Sequence, residues 1–91
     1  MKAQIWNISA WIEETEPFAL LRHFEEMLKE SGFNVLQVVQ HNFDPQGFTA
    51  LFLLSESHLA IHTFPEEQTT YIELSSCVEL PFKTFSKLLY A

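Results

Sequence analysis

The stretch FTALFLLSESHLAIHTFP (residues 48–65) decides the fold. Its first seven residues, Phe48 to Leu54, are mostly apolar and too few for a typical helix, so they read as a strand. Ser55-Glu56-Ser57-His58 interrupts the apolar pattern, and a bend is expected there. Leu59 to Phe64 resumes a strand, and Pro65 ends it because proline brings no N–H to a ladder.

Working outward, the flanks fall into the same scheme. Trp6, Ile8, Ala10 and Ile12 alternate, with Asn7 and Ser9 between them, the period of a strand with one buried face. Thr15-Glu16-Pro17 reads as a helix start, and Phe18, Leu21, Phe24, Met27 and Leu28 recur at helical spacing up to the Ser31-Gly32 stop. A Val-rich strand is expected from Phe33 to about His41, followed by a turn at Asp44-Pro45-Gln46-Gly47. Thr70, Ile72 and Leu74 alternate through a strand that reaches Cys77. Pro81 is expected to open a last helix carrying Phe82, Phe85, Leu88 and Leu89 on one side. The order is read as β-α-β-β-β-α. It implies an α+β two-layer sandwich, an antiparallel sheet with two helices on one face. The other face is then solvated or packed on a partner.

Composition narrows the function classes. Ninety-one residues make one domain, 1–91. With 47% hydrophobic and 19% charged residues, the chain has the makings of a core, though a thin one. A single cysteine excludes a disulfide framework and a four-cysteine zinc site. The net charge of −7 argues against nucleic-acid binding through a basic patch. The longest apolar run, Ala50 to Leu54, is far short of the roughly 20 residues that span a bilayer, and no secretory signal pattern is visible. The expectation is a cytoplasmic protein with no membrane contact and a reduced thiol.

The chemistry concentrates between Ser55 and Glu66, where two serines, two histidines and two glutamates lie together. Three reactive readings compete. His58 and His62 have the i, i+4 spacing of a helical metal pair, but on a strand they lie about 13 Å apart and cannot share one ion. Ser57 and His62 could pair as in a hydrolase, but no glycine-rich elbow surrounds the serine. The third reading is self-processing. Ser57 in a strained bend attacks the preceding carbonyl, the amide becomes an ester, and elimination splits the chain and leaves a pyruvoyl group. Against all three stands the plain alternative that these are turn and edge-strand residues.

Ser55 to Glu66, read whole, resembles the processing-site motif of the small prokaryotic S-adenosylmethionine decarboxylases. His41-Asn42-Phe43-Asp44-Pro45-Gln46-Gly47 resembles that family's turn, and Glu73 with Cys77 resembles its Asp-x-x-x-Cys strand. The resemblance covers most of the chain and is densest over residues 41–78.

That resemblance implies a self-processing, pyruvoyl-dependent carboxy-lyase of polyamine (spermidine) biosynthesis. Cleavage between Glu56 and Ser57 would give chains of 56 and 35 residues. Ser57 would become the pyruvoyl group, whose carbonyl condenses with the substrate amine. His62 would be the processing base, with Thr49 where the family has a supporting serine. Cys77 would reprotonate the substrate carbon after CO2 leaves. Phe43 and Phe64 match the rings that stack on adenine, Glu66 the ribose ligand, and Leu59 a further substrate position. No metal is implied, and a homodimer is expected. Phe64 stands where the family usually has tryptophan, Val78 where it commonly has glycine, and the chain reads as short at its C-terminus. Two other readings remain open: a non-catalytic homologue that binds a nucleoside or regulates a dimer partner, and a decarboxylase of another amine such as arginine. His23 and His41 are read as structural.

Overall fold

Local chemistry at both ends sets the first helix. The Glu16 carboxylate accepts from the backbone N–H groups of Phe18 (2.8 Å) and Ala19 (3.0 Å), and Pro17 occupies the first helical position. Gly32 ends the helix at φ 102°, donating its N–H to Lys29, while Phe33 donates to Leu28. The computed structural model describes residues 2–91. Its elements are β1 (Trp6–Ile12), α1 (Pro17–Ser31), β2 (Val35–Asn42), β3 (Phe48–Leu54), β4 (Ser57–Phe64), a short 3₁₀ turn (Pro65–Glu67), β5 (Thr69–Ser76) and α2 (Glu79–Leu89).

The five strands form one antiparallel sheet in the order β1-β5-β4-β3-β2. Helix α1 carries the chain from one edge of the sheet to the other. The α+β two-layer architecture is as expected. The observed order is β-α-β-β-β-β-α, one β more than written from the sequence, because Phe48–Leu54 and Leu59–Phe64, read there as strand segments on either side of a bend, are two strands joined by a complete two-residue hairpin turn at Ser55-Glu56. Strand β4 therefore starts at Ser57, two residues before the apolar pattern resumes. Strand β2 starts at Val35, since Phe33 is taken up by the helix cap. Helix α2 begins at Glu79 rather than Pro81. The first-turn N–H groups of a helix have no acceptor within it, so proline is tolerated there.

Alternation then sorts the side chains. Phe48, Ala50, Phe52 and Leu54 of β3, Leu59 and Ile61 of β4, and Ile72 and Leu74 of β5 pack under Leu20, Phe24 and Leu28 of α1 and Phe82 and Phe85 of α2. The opposite face has no helix over it. It presents a cross-strand row Trp11–Tyr71–His62–Thr49–His41, and beside it Ser9–Glu73–Ala60–Leu51–Val39. Val39 (55% exposed), Leu51 (44%) and Leu53 (49%) open toward solvent on β2 and β3, and Trp11 (61%) does so on β1 at the other edge, so apolar side chains stand uncovered on both sides of this face. Among the described residues, no helix is long and apolar enough to cross a membrane.

Candidate active site

Ser57 opens β4 and faces the helix side of the sheet, where it is buried. A buried hydroxyl needs a partner, and Ser57 Oγ donates to Ser76 Oγ at 2.8 Å across the β4–β5 pair. The residue before it, Glu56, has φ 58°, a left-handed conformation that glycine or asparagine ordinarily fills in such turns. Its carbonyl oxygen accepts two hydrogen bonds from one residue: the backbone N–H of Cys77 (3.3 Å) and Cys77 Sγ (2.8 Å). Two donors aimed at one carbonyl oxygen are the arrangement that stabilises negative charge when the carbonyl carbon is attacked. The carbonyl so held belongs to the Glu56–Ser57 bond, and the attacking hydroxyl is next to it in the chain. A cleft of about 420 Å³ opens on this turn, lined by Glu56, Ser57, His58, Ser75 and Ser76 among others.

The left-handed turn has a measurable cost. A non-glycine residue there forfeits about 1 kcal/mol. Glu56→Gly in a Ser57→Ala background is expected to raise the urea midpoint slightly, the unfolding free energy rising by up to that amount less the entropy glycine adds to the unfolded chain. A lowered midpoint would show that the Glu56 side chain contributes more than its backbone costs.

A second cluster lies at the other end of β4. His62 is half-buried on the open face, and its Nδ1 shares a hydrogen bond of 2.9 Å with Thr49 Oγ1 on β3. When Nδ1 donates its proton to Thr49, the Nε2 lone pair is free to take up a proton. The Tyr71 ring stacks on His62 with centroids 6.5 Å apart, and its hydroxyl donates to Glu73. Phe64 is exposed beside Trp11, at 5.8 Å between ring centroids. Phe43 is exposed at the β2–β3 turn, and Glu66 is exposed in the 3₁₀ turn. Gly47, at φ 111°, closes the β2–β3 turn by accepting from the Phe43 N–H at 2.8 Å.

The expected site residues thus fall into two groups that one chain does not bring together. Glu56, Ser57 and Cys77 meet at one end of the sheet. Thr49, His62, Phe43, Phe64 and Glu66 gather at the other. Ser57 and His62 are five strand residues apart, about 16 Å by rise, and face opposite sides of the sheet. Leu59 is corrected: its side chain is fully buried in the core, so only its backbone can reach a ligand. His58 and His62 share the open face four strand residues apart. Among the described residues, no three His, Cys, Asp or Glu side chains group as a metal site requires. Sequence reasoning missed Ser76 and the Cys77 N–H, since neither a serine nor a backbone donor carries a local signal.

Comparison with known proteins gives a consistent picture. The family model described as S-adenosylmethionine decarboxylase matches residues 7–90. A Bacillus cereus protein named S-adenosylmethionine decarboxylase proenzyme 2 is 45% identical over 73 residues, 80% of this chain and 58% of the relative. A protein from another Bacillus cereus strain with the same name is 51% identical over the same coverage. The S-adenosylmethionine decarboxylase proenzyme of Prochlorococcus marinus is 45% identical over 49 residues, 54% of this chain and 39% of the relative. The chain therefore spans little more than half the length of the Bacillus relatives it matches. The crystal structure of the adenosylmethionine decarboxylase from Aquifex aeolicus superposes with a TM-score of 0.74 at 19% identity. It covers 99% of this chain and 81% of that one, a likeness of fold.

Proposed function

The chain belongs to the S-adenosylmethionine decarboxylase family, and we propose that it is a proenzyme that splits itself between Glu56 and Ser57 and then decarboxylates S-adenosylmethionine. The observation that carries this reading is the Glu56 carbonyl, held by the Cys77 N–H and thiol beside the Ser57 hydroxyl. In the first step Ser57 Oγ bonds to the Glu56 carbonyl carbon and gives its proton to a base. The C–N bond then breaks, the nitrogen takes a proton, and the amide has become an ester. Loss of the Ser57 Cα proton next breaks the Cβ–Oγ bond, and Glu56 leaves as a carboxylate. The new N-terminal residue exchanges its nitrogen for a water oxygen, releasing ammonia.

The buried serine at a two-donor carbonyl and the adjoining cleft of about 420 Å³ suit a pyruvoyl group formed at this position. Such a group supplies a ketone carbonyl that acts as an electron sink for an amine losing CO2. Cys77 has consecutive tasks. Before splitting, its thiol donates to Glu56; after splitting Glu56 is a free chain end no longer tied to residue 57, and as it moves away the thiol can protonate the substrate carbon.

His62 cannot reach Ser57 of its own chain. As the processing base it acts on the Ser57 of a second copy, which makes the functional unit a homodimer with composite sites. The open sheet face, with exposed Trp11, Leu51 and Leu53, supports the homodimer itself. Phe43 and Phe64, at the His62 end, then stack the purine, Glu66 binds the ribose, and Leu59 contributes through its backbone.

The test is direct. Protein incubated at neutral pH should show two masses, split between residues 56 and 57, and should release labelled CO2 from carboxyl-labelled S-adenosylmethionine. A single full-length mass with no CO2 released would refute the proposal.

A further inference from the structure

Ser76 has so far appeared only as the acceptor for Ser57 and in the cleft wall, yet it is 1% exposed and hydrogen-bonded on all sides. Its Oγ accepts from Ser57 Oγ at 2.8 Å and from the Val78 backbone N–H at 3.0 Å, and it donates to the Val78 carbonyl at 3.2 Å. A hydroxyl has one proton and two lone pairs. With its proton on Val78 O and one lone pair taken by Val78 N–H, Ser76 can only accept from Ser57. The direction of the Ser57–Ser76 bond is thereby set by the backbone of residue 78.

We infer that Ser76 is a positioning residue for self-splitting: it draws the Ser57 proton toward β5, holds one Ser57 rotamer, and leaves the Oγ lone pairs to attack Glu56. The inference rests on the self-splitting reading of Ser57. A serine side chain otherwise samples three staggered wells. The anchor is rigid because Val78 is the residue that caps α2, and Ser76 is the last residue of β5, so the strand-to-helix junction itself aims the nucleophile. Ser76 does not act as the base. Its own proton rests on a carbonyl, which cannot take it up, so the relay orients the Ser57 proton and does not drain it. The proton must leave to a group outside this relay, which is consistent with a separate base.

Substitution at position 76 separates orientation from packing. Threonine and valine are alike in shape and different in the hydroxyl, so any packing cost of the added branch is common to both, and they form the informative pair. Each full-length variant is made by cell-free translation, quenched over time, and scored for the 56- and 35-residue products, with folding checked by circular dichroism. Ser76→Thr is expected to split within about two-fold of the wild-type rate. Ser76→Val and Ser76→Ala are expected to be slower by about five-fold or more, the factor one buried hydrogen bond is worth. Equal rates for threonine and valine overturn the inference, as does a Ser76→Ala rate equal to wild type, and both leave the self-splitting reading intact. Should alanine misfold, the threonine–valine comparison decides alone. A wild-type chain that never splits overturns both readings.

Discussion

Ser57→Ala is expected to remain one chain of full-length mass, with no decarboxylation of S-adenosylmethionine, however long it is incubated. The reason lies in the bond arrangement. The only oxygen placed next to the Glu56 carbonyl carbon by covalent geometry is Ser57 Oγ, and the two Cys77 donors stabilise charge on that carbonyl alone. Removing the nucleophile removes both the ester route to cleavage and the source of the ketone. The variant should still fold. Its loss is one hydrogen bond to Ser76, about 1 kcal/mol, while β4 keeps its ladder and the Leu59 and Ile61 packing. A folded, unsplit Ser57→Ala protein beside a split wild type is the outcome that supports the proposal. Splitting in Ser57→Ala would show that cleavage has another cause, proteolysis included.

The second large effect is complementation between two inactive chains. Ser57→Ala alone lacks the nucleophile, and His62→Ala alone lacks the base, so neither should split. Made together, they should form mixed dimers in which the intact Ser57 of one chain meets the intact His62 of the other. With equal amounts and random pairing, about half of the His62→Ala chains should then be cleaved, and none of the Ser57→Ala chains. The expected pattern follows from the separation within one chain. Along β4 the two residues are about 16 Å apart and point to opposite faces, so proton transfer within one chain is out of reach. If His62→Ala splits on its own, His62 is not the base. If the mixture stays whole while each chain remains folded and dimeric, the composite site is wrong.

Several parts of the molecule were legible in the residues. Pro17 and Gly32 bracket α1 because a fixed φ and a left-handed φ are local properties of proline and glycine. The alternation of β3 and β5 reported a sheet with one covered face, since side chains on a strand must alternate. Boundaries failed where a polar residue finds a buried partner. Ser57 looked like part of a bend, yet it begins β4 because Ser76 satisfies its hydroxyl across the sheet. Ser55-Glu56 looked like part of the same bend, yet it is a complete hairpin turn between two strands. Leu59 was read from the resemblance as a ligand contact, and the core claimed its side chain.

The sequence by itself determined which groups are present and in what local conformation. It supplied the serine after a strained turn, the lone thiol, the histidine with its neighbouring hydroxyl, and the strand and helix periods that make a two-layer fold. Only the tertiary structure decided which of them meet. Cys77 is 21 residues from Glu56 in the chain and reaches its carbonyl because β5 lies antiparallel to β4. His62 is five residues from Ser57 and cannot reach it, because an extended strand sends odd-numbered neighbours to opposite faces. Sequence separation measures neither contact, since strand pairing joins distant residues while strand extension parts near ones.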